Sequence, residues 1–449
     1  MRSVIPSVAL LGLLPLSLAA PALDPIISSL RSIFSGLDSA VDARNPAAVA
    51  NALTRITPTA RPSNLQVAVS KESSIWAQST RTDFFQAVAT QVASGIILDD
   101  TLNTSVQAAR PVGENSINNN NPPPPTNIFP SKDSADAPYT LSETQLRQAI
   151  FIPPGFTFGQ KRPVIFVPGT GSYGGTAFAS NLRKLLTGQP FADPVWLNIP
   201  GAMFSDAQTN AEYIAYAINY ISSISGNRND IAAIGWSQGS LGTQWVLKYW
   251  PSTRSVVKDF LAVSADFKGT VLANALCLSP NSDFGLPICP PSVIQQEATS
   301  DFIAALRRDG GDSAYVPTTT FYSGNFDEIV QPQTGSIASA FLKDARGVGV
   351  TNNEVQRVCA GRIGGSYYGH AGLLVNPLVF ALIVDALNNE GPGSPARLDL
   401  GSVCSSYTAP GLDVDDVLAT NGLIPVAAVL LLTHPERRVT EPPLRTYVQ

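Results

Sequence analysis

The chain has 449 residues, 44% of them hydrophobic and 14% charged, which is enough apolar surface for a large buried core and too little charge for a disordered chain. Its net charge of −5 lacks the basic excess that nucleic-acid or anionic-membrane partners draw on. With two histidines, four cysteines and no C-x-x-C pair, the composition argues against a metal centre.

At the N-terminus, one basic residue, Arg2, precedes an apolar run over 4–18 and the small residues Ala19, Ala20 and Ala22, the pattern of a cleaved secretory signal over 1–20. A membrane anchor is disfavoured by Pro6, Pro15 and a length below the roughly 20 residues a span needs. Residues 21–110 read as helical: Leu30, Ile33, Phe34 and Leu37 recur at helical spacing, as do Phe84, Phe85, Val88 and Val92. Such faces need a partner, so this region is either a helical unit docked on the rest or a pro-segment lost in maturation. Asn103-Thr104-Ser105 is a glycosylation acceptor. Residues 111–130, with four asparagines followed by four prolines at 118–125, read as a linker, because proline lacks the N–H that regular structure needs.

From Lys161 onward short β-rich runs alternate with longer amphipathic ones: strands at 163–167 and 195–197, helices at 177–186 and 207–221, and further strands at 231–234, 260–265 and 319–323. Repeated β–α alternation predicts a mostly parallel, doubly wound α/β sheet over 131–449, with ligands at the carboxyl ends of its strands. After the first of these strands comes a Gly-rich loop, Val167-Pro168-Gly169-Thr170-Gly171-Ser172-Tyr173-Gly174-Gly175. It carries no phosphate-loop or dinucleotide fingerprint, and no cofactor is expected. The run 231–234 leads into Gly235-Trp236-Ser237-Gln238-Gly239 and then a helix-like stretch. That context reads as a nucleophile elbow: a tight strand-to-helix turn that lifts a serine hydroxyl clear of the sheet and frees the next backbone N–H.

A serine hydroxyl needs a base, and the base needs a third group to fix its tautomer. His434 follows an apolar run at 424–432 and precedes Pro435 and Glu436, so it is expected to face solvent, whereas His370 lies among small neighbours in Gly369-His370-Ala371-Gly372. His370 is therefore the candidate base. Asp266 and Asp327 both end strand-like runs downstream of Ser237, and chain order does not choose between them. The backbone amides of Gln238 and Thr170, with the Thr170 hydroxyl as a further donor, are the candidate oxyanion hole. The cysteines are read as two local disulfides, Cys277 with Cys289 and Cys359 with Cys404. The run at 424–432 is too short to span a bilayer and reads as a docked helix.

Together, Val167-Pro168-Gly169-Thr170-Gly171, Trp236-Ser237-Gln238-Gly239, Asp266-Phe267-Lys268-Gly269-Thr270, Asp327-Glu328-Ile329-Val330-Gln331-Pro332 and Gly369-His370-Ala371-Gly372 resemble the Candida antarctica lipase B family of fungal serine hydrolases. The resemblance implies an α/β-hydrolase fold with Ser237 as nucleophile, His370 as base, Asp327 as its orienting acid, and Thr170 and Gln238 around the oxyanion. It further implies that Trp236 and Asp266 belong to the substrate pocket and that Cys359 and Cys404 form a family disulfide. Unlike that lipase, this chain has a helical N-terminal region and a longer loop at 274–291, which a Cys277 to Cys289 bridge would staple. The expectation is a secreted, monomeric, cofactor-free ester hydrolase acting on acylglycerols. The alternatives are an esterase or transacylase for polyester or secondary-metabolite esters, and a non-catalytic binding module on the same fold.

Overall fold

The computed structural model describes residues 35–41, 43, 45–78, 84–277 and 289–448. The expected signal at 1–20, the helical positions Leu30, Ile33 and Phe34, and the loop 278–288 lie outside the described residues. The sheet has seven strands: β1 (Ile150–Phe151), β2 (Pro163–Val167), β3 (Asp193–Leu197), β4 (Ile231–Trp236), β5 (Val257–Val263), β6 (Thr318–Tyr322) and β7 (Val350–Glu354). Their order is β1-β3-β2-β4-β5-β6-β7, parallel throughout except where β1 meets β3. The central strands β2, β3 and β4 are buried along their whole length, as both faces of a parallel sheet under helices require.

Order reverses at β2, which has the earlier-paired β3 on one side and β4 on the other. A crevice therefore opens where the chain leaves the carboxyl ends of β2 and β4 in opposite directions. The Gly-rich loop and Ser237 both lie there. Two strands, β1 and β7, do not stand out in the sequence. The first has two residues, and the second, Val350-Thr351-Asn352-Asn353-Glu354, is polar because it is an edge strand whose Asn352 amide donates to Leu342 O at 2.9 Å and accepts from Leu342 N at 3.0 Å. The helix expected at 177–186 is broken into Gly174–Ala177 and Leu182–Leu186. Asn181 makes the break: its side chain donates to Ala177 O at 3.0 Å and accepts from Leu182 N at 2.7 Å, starting the second helix with a new cap.

The N-terminal helices α1 (Pro46–Thr54), α2 (Leu65–Gln78), α3 (Phe84–Ala93) and α4 (Leu102–Ala108) share one apolar core with the sheet's outer face. Their partner is a late helix, α5 (Leu423–Thr433), and Val49, Leu53, Val88 and Val92 are fully buried in the shared core. At about 1.5–3 kcal/mol for each such side chain, this packing is a substantial part of the region's stability. The stretch Val414–Thr433 has the length and mean hydropathy (1.7) of a bilayer span, yet 72% of it is buried inside the fold.

The expected linker is not a free tether. Asn119 and Asn121 supply the donors that the prolines lack, the first to Gln148 O at 2.8 Å and the second to Arg147 O at 2.9 Å and Ile150 O at 2.7 Å. Tyr220 then donates to Pro122 O at 2.8 Å, so the segment runs along the sheet unit as a docked strap. Asn103 is exposed on α4. The disulfides Cys277 to Cys289 and Cys359 to Cys404 pair as their spacing suggests.

Candidate active site

Strand β4 ends at Trp236, and the helix Gln238–Tyr249 begins two residues later. Ser237 alone joins them, at φ +55° and ψ −128°, a conformation that costs a non-glycine residue energy and persists only where its surroundings fix it. The flanking glycines answer to space rather than to backbone angle. A Cβ on Gly235 would lie 2.6 Å from Ser240 N, and one on Gly239 would lie 2.2 Å from Val167 O. The serine thus carries the strain, and the glycines let strand, helix and the β2 loop close around it. Ser237 N–H donates to Val263 O at 2.9 Å, tying the bend to β5.

His370 reaches the same place from a loop more than a hundred residues on. Its Nδ1 lies 3.0 Å from both carboxylate oxygens of Asp327, which is 1% exposed and follows the short turn Gly324–Phe326 after β6. Asp327 is itself held, since Oδ1 accepts from Ile329 N at 3.1 Å and Val330 N at 2.7 Å. The His370 backbone is clamped too: its N–H donates to Glu328 Oε2 at 2.8 Å, and its carbonyl accepts from Ser264 Oγ at 3.0 Å and Trp236 Nε1 at 3.3 Å. With Nδ1 engaged by Asp327, Nε2 is the nitrogen available to a serine proton. Ser237 and His370 line one cavity. Among the described residues no hydrogen bond joins the Ser237 hydroxyl to the imidazole, a contact that in such sites often tightens only around substrate.

Burial alone pulls the His370 pKa down, but the charge and hydrogen bond of Asp327, with Glu328 and Asp266 nearby, outweigh it and hold the group above its ordinary value. Asp266 behaves differently from the expectation that it lines the pocket. It has no exposure, does not contribute to the cavity wall, and neither carboxylate oxygen has a hydrogen-bond partner among the described residues. The left-handed turn at Ser264 (φ 48°) takes the chain off the axis of β5 and leaves Asp266 inside the protein. Burial pushes its carboxyl up to about 7, against the pull of His370. Of the two strand-end aspartates, Asp327 is the one bonded to the imidazole.

The backbone N–H groups of Thr170 and Gln238 take no backbone acceptor among the described residues. Gln238 is the first residue of its helix, where an unpaired N–H and the helix dipole both favour an anion. The Thr170 hydroxyl is already engaged, donating to Gln296 Oε1 at 3.0 Å and accepting from Gln238 Nε2 at 3.1 Å. Gln296 was not singled out in the sequence. It lies beyond the loop 278–288 with no motif around it, and only tertiary folding brings it to the cavity.

The cavity wall is apolar, with Leu272, Leu276, Val293, Ile424 and Leu431 among its residues and Trp236 beside the imidazole, ring centres 5.4 Å apart. His434, expected in solvent, is half-buried with its ring 5.2 Å from that of Phe204, and its Nε2 has no partner among the described residues. Burial lowers its pKa, and it stands apart from the Ser237 and His370 pair. The described residues contain no group of ligating side chains suited to a metal ion.

The chain is 35% identical over 291 residues to lipase B of Pseudozyma antarctica, an alignment covering 64% of this chain and 79% of that protein. The crystal structure of Aspergillus fumigatus lipase B is similar over 93% of this chain and 100% of its own, with a TM-score of 0.81 and 43% identity. No family model matches.

Proposed function

From the premise that this chain belongs to the lipase B family, we propose that Ser237, Asp327 and His370 hydrolyse acylglycerol esters through an acyl-enzyme on Ser237. Membership makes the protein a carboxylic ester hydrolase of the lipase and esterase kind, built on the α/β-hydrolase fold. The single observation that carries the finer reading is one apolar cavity holding both the strained Ser237 and the Asp327-bound imidazole of His370.

In this reading Ser237 Oγ attacks the ester carbonyl carbon while its proton passes to His370 Nε2. The carbonyl oxygen, now negative, is received by the N–H groups of Thr170 and Gln238. Collapse of the tetrahedral intermediate returns the proton to the departing alcohol, and water then repeats the sequence on the acyl group. An apolar wall suits a long acyl chain better than the polar groups of a secondary-metabolite ester. The disulfides fit an oxidising compartment, so residues 1–20 are proposed as a secretion signal and exposed Asn103 as a glycosylation site. The helices of 21–110 are proposed to stay docked as part of the mature enzyme, because their core is the core of α5 and the sheet.

Treatment with a fluorophosphonate followed by peptide mass spectrometry tests the assignment and reports the mature N-terminus in the same run. Ser237 is expected to carry the adduct, on a chain that retains α1 to α4. Modification of another serine, or none, counts against the reading.

The acid side of the pH profile supplies a second check. Only neutral His370 accepts the serine proton, and its pKa is raised, so kcat/KM is expected to climb with pH through a midpoint above the ordinary 6.5. Glu328→Gln keeps an acceptor for the His370 N–H but removes a carboxyl, itself pushed up to about 7 by burial, whose ionised form favours the imidazolium. The midpoint is therefore expected to move down in that variant. A parent midpoint at or below 6.5 contradicts the charge assignment.

A further inference from the structure

One wall of the cavity comes from the N-terminal region. Phe84, the first residue of α3, lines the same space as Ser237 and His370, more than 150 positions before the nucleophile. It is 7% exposed and braced from behind, its ring 5.3 Å from Phe85 and 6.0 Å from Trp76. Across the space, α5 contributes Ala427 and Ala428 between the larger Ile424 and Leu431. Ala427 also packs tightly on the Gly-rich loop, where a Cβ on Gly171 would lie 2.7 Å from the Ala427 Cβ.

Helices α3 and α5 are fixed to each other. Gln91 on α3 donates to Asn421 O at 3.0 Å just before α5, and Asn421 in turn donates to the buried Glu72 of α2. A rigid ring on a fixed helix, set against small residues, is a stop for a flexible apolar chain. Without it the cavity would extend toward Phe85 and the core shared by α1, α3 and α5.

We infer that Phe84 is a specificity-determining residue that limits the length of ester the cavity accepts, so that the N-terminal helical region is a working wall of the site and not a dispensable pro-segment. The inference rests on the ester-hydrolase reading above. It also explains why α1 to α4 are fastened at both ends, by the strap at 118–125 and by α5.

The test compares kcat/KM of the full-length enzyme across two ester series, one varying acyl length on a fixed chromogenic alcohol and one varying the alcohol on a fixed acyl group. Phe84→Ala is expected to raise the ratio of the longest to the shortest member at least tenfold in one series, the scale on which apolar pockets discriminate methylene groups. Phe84→Leu is expected to move it the same way by less, and serves if the alanine variant does not fold. Phe85→Ala, also buried on the same helix but off the cavity wall, removes only the brace behind Phe84, and is expected to lower the thermal midpoint while moving the ratio by a small fraction of the Phe84→Ala change. Unchanged ratios in both series, or an equal change in Phe85→Ala, overturn the assignment of Phe84 while leaving ester hydrolysis intact. A parent enzyme that turns over no ester overturns both.

Discussion

Ser237→Ala is expected to lower kcat toward its esters about a million-fold, the scale of deleting the nucleophile from a serine, histidine and aspartate set. The substitution removes one oxygen and little else. Alanine must adopt the same backbone angles (φ +55°), and the bonds that hold the bend, Ser237 N–H to Val263 O and Ser240 N–H to the carbonyl of residue 237, are made by the main chain. The variant should therefore fold, with thermal midpoint and substrate binding close to the parent. What remains is the contribution of the Thr170 and Gln238 amides and of the cavity itself, which keep a small advantage over water. Turnover within tenfold of the parent, measured on a chromogenic short-chain ester, sinks the assignment.

Asp327→Asn is expected to cost about ten-thousand-fold in kcat with a much smaller effect on KM. An asparagine can still accept from Ile329 N–H and Val330 N–H through its oxygen, so the loop after β6 should hold. Its amide then faces His370 Nδ1 as a donor, which forces the ring proton onto Nε2, the nitrogen that must take the serine proton. The same change removes the charge that most supports the imidazolium as it forms. Asp266→Asn is the matched control, since that carboxyl is buried nearby but makes no hydrogen bond to the ring. It should lose far less, and a greater loss at Asp266 than at Asp327 reverses the roles of the two.

The elbow was legible in the sequence because every feature that makes it is local: an apolar strand, two small residues beside a serine, and a helix start within a few positions. What the sequence did not convey was the division of labour, with strain on Ser237 and close approach at Gly235 and Gly239. The aspartates were harder. Asp266 and Asp327 look alike as strand-end acids, and the motif likeness favoured one by analogy, whereas the turn Gly324–Phe326 and the bend at Ser264 place one on the imidazole and bury the other unpaired. His434 misled in the opposite way. Polar neighbours in sequence suggested solvent, yet the ring found Phe204 across the fold.

Local pattern thus determined the alternating strands and helices, the serine on its bend, the placing of His370 rather than His434 beside that serine, and the local pairing of the cysteines, because each depends on periodicity, spacing or scarcity within the chain itself. Tertiary structure decided which aspartate bonds the His370 imidazole, how Gln296 engages the Thr170 hydroxyl, how the asparagines at 119 and 121 turn a polyproline stretch into a docked strap, and that Phe84 lines the same cavity as Ser237. These depend on which surfaces meet when a mostly parallel sheet brings together segments tens to hundreds of residues apart, and no window of sequence contains both sides of such a contact.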